Sequence, residues 1–158
     1  MAKFYVGKGL DEYLSMLGNL EFRTDDVIGR SVFEGAAIVA DAVKKAIDEI
    51  PERQQGSSTG VYDDQRQGLK DGLGIAKLQN DNGYFNVKLG FDGYNKHVTK
   101  TYPKGQPNAL IARSINSGTS FSPKYPFVDN TTKRVKAEAE QAMSDRLDSE
   151  IKQITGGN

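Results

Sequence analysis

Residues 25–50 constrain the fold of this chain more than any other stretch. Ile28, Val32, Ala36, Val39, Val43, Ile47 and Ile50 recur at steps of three and four, which places them on one face of an α-helix. About 26 residues rising about 1.5 Å each make a rod of roughly 39 Å. Phe33, Ala37 and Ala40 widen the apolar stripe, so the middle of the rod is expected to be covered on more than one side. Gly29, Gly35, Ala36, Ala37, Ala40 and Ala42 clothe the backbone thinly and let a sheet or a second helix come close. Thr24, Asp25 or Asp26 is the expected cap, with carboxylates at the positive end of the helix dipole. Pro51 ends the helix, because the residue before a proline is pushed out of the α region.

The chain has 158 residues, which fits one domain spanning residues 1–158 with long loops at 51–64 and 92–107. Apolar residues make up only 37 %, a lean core for two long helices, so subunit contacts are expected to bury further surface. The 21 basic and 21 acidic side chains cancel and give no global field toward nucleic acid or membrane. There is no cysteine, which removes disulfides and thiolate chemistry. No run approaches 18 apolar residues and Met1 to Val6 does not read as a signal peptide, so a soluble protein made in the cytoplasm is expected.

Taken in order, residues 3–8 suggest a short strand, and Leu10, Tyr13, Leu14 and Leu17 a short amphipathic helix stopped by Gly18 and Asn19. After the long helix, residues 51–64 read as a flexible polar loop around the apolar pair Val61 and Tyr62. Residues 65–72 suggest one or two helical turns. A hairpin follows: Ile75, Ala76 and Leu78 lead into Asn80-Asp81-Asn82-Gly83, and Phe85, Val87, Leu89 and Phe91 alternate after it. The Asn-Gly pair supplies the positive φ angles of a tight turn. Residues 92–107 form a second polar segment, with a strand expected around 98–102. Residues 108–116 read as a helix and 118–126 as irregular. A last helix begins near Asp129 or Asn130, carries Val135, Ala139, Met143, Leu147, Ile151 and Ile154 on one face, and closes at Gly156-Gly157. The class is α+β, with a long N-terminal helix and a C-terminal helix packed on a small antiparallel β-sheet.

Residue chemistry points away from catalysis. His97, the sole histidine, reads as a solvated loop residue beside Lys96. Asp25-Asp26 reads as helix capping and Asp63-Asp64 as loop polarity. Gly7-Lys8-Gly9 and Gly72-Leu73-Gly74 lack the rest of a phosphate-binding fingerprint. No catalytic, metal or cofactor site is expected. One stretch is unusual: between Asp92 and Asp129 there is no acidic residue, while Lys96, Lys100, Lys104, Arg113 and Lys124 give +5 and leave −5 on the remainder. Tyr94, Tyr102, Phe121, Tyr125 and Phe127 are interleaved there. Such a stretch can dock on an acidic neighbour or serve as a small nucleic-acid-binding module over residues 94–127.

The block Ala109-Leu110-Ile111-Ala112-Arg113-Ser114-Ile115-Asn116-Ser117-Gly118-Thr119-Ser120, followed by Pro123 and Tyr125-Pro126-Phe127-Val128, resembles a signature of small siphophage tail-completion, or head–tail joining, proteins. In that family an apolar helix precedes Gly-Thr, and a proline–aromatic pair opens the C-terminal helix. Glu34 to Ala42 is similar to the family's long first helix, and Gln67-Gly68-Leu69-Lys70-Asp71-Gly72-Leu73 to its entry into the sheet. Gly9-Leu10-Asp11-Glu12 is a similar opening. Ser114-Ile115-Asn116 departs from a stretch that usually bears glutamate, and Gly72 stands where serine is common.

The resemblance implies a virion structural protein made in the bacterial host. It would form a ring, six subunits being expected, at the neck between head and tail. Neighbouring neck and tail proteins (tail terminator, head-completion or connector protein) would be its partners. Double-stranded DNA would pass through the lumen without sequence-specific contact. No membrane partner and no cofactor are implied. The expected oligomer or partner contacts are Gly118, Thr119, Phe121, Tyr125 and Phe127, with Lys96, Lys100, Lys104 and Arg113. Tyr125 and Phe127 have an alternative place, packed on the long helix within one subunit.

Overall fold

Two long helices lie against each other along most of their length. The computed structural model describes residues 24–155. Its elements are α1 (Thr24–Glu49), α2 (Asp63–Gly72), β1 (Leu73–Ile75), β2 (Gln79–Asp81), β3 (Tyr84–Asn86), β4 (Leu89–Phe91), α3 (Asn108–Ser117) and α4 (Phe127–Thr155). This is an α+β arrangement with a small antiparallel strand set. The strand and helix expected before residue 24 and the closing Gly156-Gly157 lie outside the described residues, whereas the expected cap residues Thr24, Asp25 and Asp26 are already helical, with both carboxylates in the first turn of α1.

Helices α1 and α4 run antiparallel, so the N-terminal half of one meets the C-terminal half of the other. Val27 packs with Leu147 and Ile151, with Ile154 against them, at one end. Val43, Ala46, Ile47, Ile50, Leu69, Ile111 and Phe127 form the larger core at the other. The contact is closest at Gly35, where an added Cβ would meet Met143 Cγ at 2.5 Å and the Ala139 carbonyl oxygen at 3.1 Å. This seam turns the first half of α1 away from the expected stripe. Val27, Ser31 and Gly35 are buried, whereas Ile28 and Val32 are half-buried. The reason is size: where two backbones approach closely, the smallest side chains take the interface. Phe33 and Ala37 remain exposed in the subunit, so the cover expected over the middle of the rod is not supplied by the described residues. Glu150 locks the seam from its edge. Arg30 donates to both its carboxylate oxygens at 2.8 Å, and Arg146 Nε donates at 3.0 Å. The hydrogen bonds from Arg30 hold the Glu150 carboxyl below its ordinary pKa against the opposing effect of burial, and raise that of Arg30.

The strands form two short ladders, not one sheet. Leu73, Gly74 and Ile75 pair with Phe91, Gly90 and Leu89, and Gln79, Asn80 and Asp81 pair with Asn86, Phe85 and Tyr84. Ala76 N donates to Lys88 O at 2.8 Å, so Lys77 and Leu78 together face Val87 alone. That two-to-one count is a β-bulge. It moves the apolar positions of the first arm from 73 and 75 to 78, and Leu78 lies against Gly29 of α1, 3.0 Å from where a Cβ would stand. The turn carries Asn82 at φ 56° and Gly83 at φ 91°, the pair of positive angles the Asn-Gly sequence predicts.

Helix α1 ends before Pro51 as expected. Its last carbonyls are held by a residue the sequence did not single out: Arg66 donates to Ile47 O at 2.6 Å and to Ile50 O at 2.7 Å. A guanidinium there complements the negative end of the dipole. The loop after α1 is not merely a flexible polar connection. Val61 is fully buried in the larger core, and Arg53 N donates to Val61 O, and Val61 N to Pro51 O, at 2.8 and 3.0 Å. Burying one side chain and pairing its backbone groups fixes the loop's end. Among the described residues no helix is long and apolar enough to cross a membrane.

Candidate functional site

The segment joining α3 to α4 raises a closed turn from the surface. Gly118 ends α3 at φ 75°, and a Cβ there would stand 2.8 Å from Lys124 N, so glycine is required on both counts. Thr119 N donates to Ser122 O at 2.9 Å and Ser122 N to Thr119 O at 3.3 Å, while Phe121 N donates to Thr119 Oγ1 at 3.2 Å. Ser122 Oγ donates to Ser58 O and ties the turn to the loop after α1. Phe121 at the tip is 85 % exposed. A large apolar side chain on a hydrogen-bonded turn is held ready for contact at little entropic cost.

The three aromatics expected as anchors have different fates. Phe121 stands free. Tyr125 is exposed, but its N donates to Ile115 O at 2.7 Å and its hydroxyl to Glu49 O at 3.2 Å. Open grooves lie on its two sides, one lined by Ala46, Pro126 and Arg134, the other by Pro51, Ile115 and Pro123. Phe127 is not a surface anchor. It is 3 % exposed and meets Phe91 at 6.1 Å between ring centroids, as the first residue of α4. The alternative place, inside the subunit, is the one it takes. Helix α4 begins there, two residues before the expected start, because Asn116 Oδ1 accepts from the N–H groups of Val128 and Asp129.

The basic stretch is split between a loop and a helix. Residues 98–102 do not form a strand. Thr99 N donates to Tyr102 O and Tyr102 N to Thr99 O, both at 3.1 Å, which makes a tight turn with Val98 exposed and no partner strand among the described residues. The loop is pinned at its root by amides. Asn95 N donates to Gln106 O at 2.9 Å, and Asn95 Oδ1 accepts from His97 N at 2.9 Å. Gln65 Nε2 donates to Gln106 Oε1 at 2.6 Å, and Asn108 Nδ2 donates to Asp92 O at 2.8 Å. Asn95 and Asn108 are buried, pressed against Gly68 and Gly72 of α2. Two glycines four apart in a short helix are the sequence signal that another chain segment comes this close. Lys96, Lys100 and Lys104 project from the pinned loop and Arg113 from α3, all exposed and without an ion pair among the described residues.

His97 is not a solvated loop residue. Its Nδ1 donates to the Asp64 carboxylate, at 3.0 and 3.1 Å from the two oxygens. Its ring stacks on Tyr62 at 4.4 Å and 11°, and Arg53 lies 5.4 Å from the centre of the Tyr62 ring. Asp64 is therefore an orienting partner in the first turn of α2, not simply loop polarity. The stack joins residues 53–64 to His97, 33 positions beyond Asp64, and fixes where the basic loop stands. Among the described residues there is no group of three or more His, Asp or Glu side chains able to hold a metal ion.

No family model, curated protein or solved structure matches this chain.

Proposed function

We propose that this protein is a structural component of a long-tailed phage virion, a ring subunit at the neck that completes the tail and joins it to the head, with double-stranded DNA passing through the lumen. One observation carries the reading: Phe121 stands 85 % exposed on a turn closed by three hydrogen bonds and tied by a fourth to a second loop. Such a side chain is an apolar knob for a neighbouring protein. It follows Gly118 and Thr119, the pair on which the resemblance to tail-completion proteins centres. The +5 stretch set in a neutral chain also supports the reading, since it favours docking on acidic neighbours over a grip on passing DNA. The test is reconstitution with tails and filled heads that lack this protein. Addition of the wild type is expected to restore joined particles, and Phe121→Ala to restore few. Joining at the same yield without the protein would overturn the proposal.

A nucleic-acid-binding module is the second reading, favoured by Tyr94, 70 % exposed among Lys96, Lys100 and Lys104. Single-strand binding pairs stacking aromatics with cations in this way. Retention on single-stranded DNA that falls steeply with salt would favour it over the neck reading.

A further inference from the structure

Charge on this subunit is sorted to two ends. Residues 24–41 of α1 and 136–155 of α4, which lie side by side, hold nine carboxylates and four cations. Three of those cations are occupied, Arg30 and Arg146 by Glu150 and Lys136 by Glu140. Glu34, Asp41, Glu138 and Asp148 form no ion pair among the described residues. Residues 1–23 hold three basic and three acidic side chains and leave the imbalance as it is. The basic loop sits at the other end. His97 anchors it to Asp64 at the start of α2, and α2 is tied through Arg66 and Lys70 to residues 47–50 of α1. About 20 Å of helix separates Asp48 from Glu34. That exceeds two Debye lengths at physiological salt, while Asp41 lies about 10 Å from Asp48 with Lys44 and Lys45 between, so screening between the poles is strongest at the Glu34 end.

Each pole has an apolar centre. Phe33 and Ala37, exposed on α1, lie beside Glu34 and Asp41. Val98, exposed on the loop, lies between Lys96 and Lys100 in sequence, and exposed Tyr94 stands beside Gly105, next to Lys104. An apolar middle with a charged rim is the anatomy of a protein interface, and here the rims are of opposite sign. We infer that copies of this chain bind one another head to tail, the 94–104 loop of one subunit seated on the Phe33–Asp41 face of the next. The two surfaces are different patches, so the contact is heterologous and each subunit keeps one pole free for a further copy until a ring closes. The inference deepens the assembly reading by naming its surfaces. It stands without any assignment to a neck.

The experiment is charge reversal with a rescue. One variant carries Lys96→Glu, Lys100→Glu and Lys104→Glu, the other Glu34→Lys and Asp41→Lys. All five side chains are exposed, and unchanged circular dichroism melts verify the fold. In sedimentation velocity at low salt the wild type is expected to run larger than its 17.3 kDa monomer and to dissociate as salt rises. Each variant alone is expected to run as monomer, its apparent dissociation constant raised by more than about 100-fold. An equimolar mixture of the two is expected to reassemble, because each then meets opposite charge at both ends. Wild-type protein that stays monomeric at every salt, variants that assemble like wild type, or a mixture that stays monomeric would each overturn the inference. Rings that form and join heads to tails despite both reversals would overturn it and leave the neck reading standing. A lysine variant that loses only retention on DNA would overturn it in favour of nucleic acid as the partner of the basic pole.

Discussion

Gly68→Ala sets two effects of opposite sign against each other. In an isolated helix the change would stabilise by about 1 kcal/mol, because glycine is the costliest ordinary residue in a helix interior. In this fold the new Cβ would press on Asn95 Cβ and stand 2.6 Å from Asn108 Oδ1 and 3.0 Å from Asn95 Cα. Asn95 cannot yield freely: it is buried, and its Oδ1 accepts from the His97 backbone. Overpacking of this kind costs about 1–3 kcal/mol, and losing one buried hydrogen bond adds about 1 kcal/mol. The net expectation is a loss of about 1–3 kcal/mol, or roughly 3–10 °C in Tm at this chain length. Denaturant melts measure the loss. Hydrogen exchange at the Asn95 and His97 amides shows whether it centres on the root of the basic loop. A variant more stable than wild type by about 1 kcal/mol would mean that helix propensity wins, and that α2 and the loop do not pack as described.

Three further outcomes are expected. Glu150 has its folded pKa lowered by Arg30, so its contribution is present above the unfolded value near 4.5 and is lost as pH falls through the folded value. Tm measured against pH should drop on the acid side for wild type, and Glu150→Gln should start lower at neutral pH and drop less. Ser31 Oγ is buried without a hydrogen-bond partner among the described residues, so Ser31→Ala should leave stability unchanged or raise it by up to about 1 kcal/mol in urea melts. Phe127→Ala should cost about 3–5 kcal/mol in the same melts, whereas Phe121→Ala should cost almost nothing.

What the sequence revealed was whatever has a period or a local rule. Val135, Ala139, Leu147 and Ile151 of the α4 stripe are buried as read, with Met143 half-buried between them, and the Asn82-Gly83 turn forms where its positive φ angles demand. Gly29 and Gly35 do admit neighbours, Leu78 and Met143. Ranking by apolarity failed at the helix seam, where Ser31 displaced Val32, because close backbones select for size. The bulge at Lys77 and Leu78 was invisible for the same kind of reason: alternation reads one arm at a time, and a bulge is a property of the pairing. The candidate site was legible in composition only. The acid-free stretch and the exposed Phe121 could be found in the chain, but not the pinning of the loop by Asn95, Asn108 and His97. Asn108 bonds Asp92 16 positions away, His97 bonds Asp64 33 away and Gln106 bonds Gln65 41 away, and such hydrogen bonds leave no pattern in sequence. Only the glycine pair Gly68 and Gly72 hinted at them.

The proposed neck role requires that this chain assemble with itself into a closed structural ring. Light scattering on the purified protein, with negative-stain images of the same fractions, tests it most directly. A mass about six times 17.3 kDa at low salt and end-on views with a central hole are expected. A single 17.3 kDa species at every concentration and salt, with no rings in the images, would contradict it.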